Sequence, residues 1–99
     1  MSGVNNLKHS VKVTVVSVNE PCSAGLTEGR SFIIRDKGCM VLENSDNICP
    51  ELLNSVFPAC MAFASGGNVP WENERGEAKV ACPDPFSRVV VKVERLLKE

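Results

Sequence analysis

The sequence predicts a small α+β domain: a mostly antiparallel, strongly curved or barrel-like sheet of about five strands, with one kinked helix against it. Three observations lead there. Valines alternate with polar residues near both ends of the chain, an apolar stripe at helical spacing occupies roughly residues 50–65, and clusters of Gly, Pro and Asn punctuate the intervals.

The first strand is read from Val11, Val13 and Val15 alternating with Lys12 and Thr14. The phase flips at Val15-Val16, which predicts a β-bulge near Val15. Asn19 to Gly29 reads as a loop. Phe32-Ile33-Ile34 and Cys39-Met40-Val41-Leu42, separated by Asp36-Lys37-Gly38, read as a hairpin.

Leu52, Leu53, Val56, Phe57, Cys60, Met61 and Ala64 recur at spacings of one, three and four, which keeps one helical face over roughly four turns. Pro58 removes a backbone donor while the stripe continues in phase across it, so a kinked helix is expected instead of two. Gly66-Gly67 supplies the stop, one glycine acting as a left-handed cap. Glu77 to Cys82 and Ser87 to Leu96 form a last strand pair around Pro83-Asp84-Pro85, with Val89, Val91 and Val93 turned inward.

With 99 residues and 43% hydrophobic content, the chain fits a single domain, 1–99, whose residues 1–9 are expected to fray. A net charge of −1 with both signs interspersed offers no footprint for nucleic acid or an anionic membrane surface. The polar N-terminus has no signal-like apolar core, and the longest apolar stretch is too short to span a bilayer. Five cysteines, at 22, 39, 49, 60 and 82, show no close pairs, which points to reduced thiols and a cytoplasmic protein.

Chemistry-bearing residues gather at element ends. Cys49 precedes Pro50, and proline favours the first helical position, so Cys49 is expected at the N-cap with its thiol at the positive end of the helix dipole. Such placement lowers a cysteine pKa from about 8.5 toward roughly 3.5–7.5, although Glu51 in the first turn opposes this. The alternative is a small buried residue with an inert thiol. Cys82 and Asp84, held extended by two X-Pro steps, could form a thiol and carboxylate pair, or Asp84 could simply cap its own turn.

Trp71 in a glycine-rich loop could wall a pocket or plug the core, and with Asn68 and Gly67 it makes the candidate ligand-binding segment. Gly66-Gly67-Asn68 lacks the lysine and hydroxyl of a phosphate loop and follows a helix, which argues against nucleotide binding. Cys39 and Cys60 read as core, and Cys22 as accessible. The single histidine, His9, lies far from these motifs, so no Cys-His or Ser-His-Asp arrangement can be assembled.

Gly29-x-x-Phe32, Cys49-Pro50, Phe57-Pro58, Gly66-Gly67-Asn68-x-Pro70-Trp71 and Ala81-Cys82-Pro83-Asp84-Pro85, with the Val-rich strand ending in Arg95, together resemble a family of small uncharacterised prokaryotic proteins. The resemblance covers about Val11 to Leu96 and implies no catalytic role. The first loop departs from the family pattern by retaining only Cys22.

The residues themselves favour a small-molecule enzyme or binder, with Cys49, Cys82 and Asp84 as catalytic candidates and no cofactor or bound metal. Lyase, isomerase and hydrolase chemistry all stay open. The alternatives are a zinc or iron module, which the lack of a C-x-x-C pair disfavours, and a structural homo-oligomer without catalysis. A homo-oligomer of unspecified order is expected, and it is compatible with all three.

Overall fold

The computed structural model describes residues 9–19, 27–36, 40–43, 50–83 and 88–96. Its elements run β1 (Ser10–Ser17), β2 (Ser31–Asp36), β3 (Met40–Glu43), α1 (Pro50–Ala64), β4 (Glu77–Ala81) and β5 (Val90–Leu96). The strands form one sheet in the order β3-β2-β1-β5-β4, antiparallel at every junction. The sheet is open: β3 and β4 stand at separate edges, and the order shows no closure into a barrel.

Alternation places Val11, Val13 and Val15 on the covered face of β1, and Val91 and Val93 beside them on β5. The phase flip has its physical counterpart in the β1/β5 register, which shifts between Val15 and Ser17 where Val16 is the extra residue. On the other side of β1, Gly29 and Arg30 oppose Val15: Gly29 N–H donates to the Val15 carbonyl, and Val15 N–H donates to the Arg30 carbonyl. Gly29 has φ 90°, as the first residue of a glycine bulge requires, and Arg30 N–H closes the preceding turn onto the Thr27 carbonyl.

Helix α1 runs unbroken through Pro58 and packs over β1, β4 and β5. Its buried line is Leu52, Val56, Ala59, Cys60, Phe63 and Ala64, rotated from the stripe the sequence suggests. Phe57 lies on the outer flank, 37% exposed, and Phe63 takes the central place. Spacing alone assigned Phe57 inward, whereas the structure buries Phe63, just before the chain leaves the helix.

That exit is a Schellman ending. Gly66 N–H donates to the Phe63 carbonyl at 3.1 Å and Gly67 N–H to the Ala62 carbonyl at 2.7 Å, with Gly66 at φ 91°. His9 N–H donates to the Ala64 carbonyl at 3.1 Å, so the chain entering β1 is tied to the end of α1.

Candidate functional site

The glycine-rich segment after α1 wraps around one side chain, Arg95, near the end of β5. Its Nη2 donates to the Gly67 carbonyl and to Asn68 Oδ1, both at 2.9 Å. Its Nη1 donates to the Gly76 carbonyl at 3.1 Å. The guanidinium lies 3.9 Å from the centroid of the buried Phe63 ring and forms an ion pair with Glu72 at 3.3 Å. A planar fork with five donors suits such a task, and a lysine ammonium could not span these acceptors.

Glu72 completes the brace. Its Oε1 accepts the Val69 N–H at 3.0 Å, while Glu72 N–H returns to the Val69 carbonyl at 3.3 Å. Residues Val69, Pro70, Trp71 and Glu72 therefore make a closed turn with proline at its second position, where a fixed φ is favourable. The Val69 N–H, followed by the hydrogen bond and charge of Arg95, holds the Glu72 carboxyl below its usual range against an opposing effect of burial. Val69 is buried, whereas Pro70 and Trp71 project outward, Trp71 at 56% exposure.

Thus Gly67, Asn68 and Trp71 share one braced loop, but Gly67 and Asn68 give their oxygens to Arg95. Trp71 does not plug the core. Of the residues that build this loop, Glu72 and Phe63 escaped the motif reading, and Arg95 entered it only as the end of the Val-rich strand, with no role. A lone arginine closing a valine-rich strand was the available signal.

Cys82 lies at the other end of the strand pair. Its N–H donates to the Val89 carbonyl at 2.8 Å, and its Sγ accepts the Val89 N–H at 3.3 Å. In a regular ladder that N–H would go to a carbonyl, so the sulfur serves as the terminal acceptor where the strands diverge. From Val89 to Arg95 the chain covers roughly 20 Å at the rise of an extended strand, which separates the thiol from the anchor of the Trp71 loop. Cys82 is half-buried against the core.

Cys49 and Asp84, the other catalytic candidates, and also Cys22 and Cys39, lie outside the described residues. Cys60 is fully buried in α1, and that burial pushes its thiol up to about 12. Among the described residues no cluster of His, Cys, Asp and Glu is placed to hold a metal ion, and no helix is long and apolar enough to cross a membrane. Neither Cys60 nor Cys82 is in a disulfide.

Compared with protein-family models, curated proteins and solved structures, the chain shows no match.

Proposed function

We propose that this chain is a small-molecule binding domain whose recognition element is the Val69 to Glu72 turn. One observation carries the reading: the most exposed large apolar side chain, Trp71, sits on the most heavily braced loop among the described residues. Exposure of an indole costs solvation free energy, and bracing removes the ordering entropy that a ligand would otherwise have to offset. Both favour a preorganised contact surface. The ligand class is a small molecule with a flat apolar face for the indole and an acceptor for the Asn68 amide, whose Oδ1 is committed to Arg95 and whose Nδ2 is left for a ligand.

Trp71 is the only tryptophan and the chain has no tyrosine, so its emission reports on this site alone. A fragment library titrated by tryptophan fluorescence should yield flat heterocycles that shift the emission. Trp71→Ala should abolish their binding, followed by calorimetry, without loss of the circular dichroism spectrum. Retention of the same affinities in that variant would exclude the turn as the site.

A second reading rests on Cys82. A half-buried thiol that accepts a backbone N–H is held in one position, as a nucleophile or proton carrier requires, and Cys49 and Asp84 are the groups that would complete an enzyme there. Alkylation followed residue by residue against pH tests it. Ordinary thiol profiles at both Cys49 and Cys82 would dismiss catalysis at that end.

A further inference from the structure

Strand β4 is paired on one side only, and its hydrogen bonds show which residues face outward. In an antiparallel pair, the N–H and C=O of one residue point to the same side and alternate along the strand. Cys82 bonds to Val89, and the β4/β5 register continues this pairing as Val80 with Val91 and Ala78 with Val93. Glu77, Lys79 and Ala81 therefore direct their backbone groups away from the sheet.

The outward edge is closed at both ends. At Glu77, the N–H donates to Asn73 Oδ1 at 3.0 Å and the carbonyl accepts the Asn73 N–H at 2.8 Å, so Asn73 stands in for a neighbouring strand. Pro83 has no N–H to offer. Between them, the exposed Lys79 and Ala81 present two N–H and two C=O groups that meet no partner among the described residues.

We propose that this edge pairs with the same edge of a second copy of the chain, antiparallel, about a two-fold axis at Val80. In that register Lys79 faces Ala81 of the second copy and exchanges both hydrogen bonds, and the symmetric pair does the same. Val80 meets its own counterpart. Glu77, whose polar groups are already taken, comes opposite the proline, which cannot donate.

Neighbouring registers fail. Centring on Lys79 sets two ammonium side chains directly opposite each other and turns Ala81 toward the saturated Glu77. Centring on Ala81 leaves Lys79 facing Pro83. Of these registers, the Val80 one alone satisfies both N–H and both C=O groups of Lys79 and Ala81, and it would extend the sheet continuously through both copies.

Sedimentation equilibrium of the full chain over a wide concentration range, with Ala81→Pro as the key variant, tests this pairing. Proline is tolerated on an edge strand where its N–H would face outward, and the substitution leaves the ladder to β5 intact while deleting two of the four new bonds. The wild type should dimerise, and Ala81→Pro should raise the dissociation constant on the order of ten- to a hundredfold. Ala81→Val, which keeps the N–H, should dimerise like the wild type. A wild type that stays monomeric up to millimolar concentration overturns the proposal, as does a folded Ala81→Pro that dimerises unchanged. If Ala81→Pro does not fold, hydrogen exchange on the wild type decides: amides of Lys79 and Ala81 must gain protection as concentration rises, and failure to do so is equally fatal.

Discussion

The two ends of the β4–β5 pair are secured by different chemistry. At the Arg95 end, one guanidinium stacked on Phe63 satisfies Gly67, Asn68, Gly76 and Glu72, so the loop between α1 and β4 is cross-linked to the strand it precedes in sequence. At the Cys82 end, the ladder closes on a thiol that takes the Val89 N–H. A charged, multidentate hub built on a buried ring fixes a loop. A sulfur acceptor merely ends a ladder.

Truncating each end at its anchor gives the largest contrast. Phe63→Ala removes a fully buried ring and the platform beneath the guanidinium, and should cost about 3–5 kcal/mol in urea unfolding. Cys82→Ala removes a weak acceptor and leaves the Val89 N–H without it, which should cost about 1 kcal/mol. Equal losses would mean that the thiol end contributes more than the Val89 N–H contact to sulfur.

The two ends were also unequally legible. Alternating valines gave the strands, and the bulge near Val15 was visible because a flipped phase has only one cheap structural solution. The glycines after α1 were readable as a cap, since the requirement for φ > 0 is local. The role of Arg95 was not readable, because its partners Gly67, Asn68, Glu72 and Gly76 are remote in sequence and two of them, Glu72 and Gly76, lie outside every motif. The burial of Phe63 was missed with it. Trp71 was singled out by its type, yet whether it lay in a pocket or in solvent depended on the brace. Cys49 and Asp84, which the sequence coupled to Cys82, fall outside the described residues.

A substitution of intermediate effect probes how closely the brace is fitted. Gly76 has φ 77°, and a Cβ there would stand 2.8 Å from Arg95 Nη1. Gly76→Ala therefore combines a left-handed backbone, worth about 1–2 kcal/mol for a side-chain-bearing residue, with displacement of the guanidinium. Its cost in urea should exceed that of the exposed Gly29→Ala, where φ is 90° and nothing lies within 4 Å of the added carbon. If the two glycines cost the same, Arg95 yields freely and the loop is less tightly held than its hydrogen bonds imply.

The smallest effect is visible only in acid, and it separates the ends by titration. Glu72 is held below its ordinary range chiefly by the Val69 N–H, then by Arg95. A carboxylate with a depressed folded-state pKa contributes stability that is fully present above its unfolded value of about 4.3 and is lost as the pH falls through the folded value. The wild type should accordingly lose melting temperature below about pH 5 by more than Glu72→Gln does, while the two curves run parallel at neutral pH. Because the turn carries Trp71, its fluorescence should change over the same acid range in the wild type and stay flat in the variant. A Cys82→Ser protein should keep the wild-type acid profile, since Glu72 is held at the Arg95 end of the strand pair and not at the Cys82 end. An identical acid loss in Glu72→Gln would place the responsible carboxylate elsewhere and remove Glu72 from the brace.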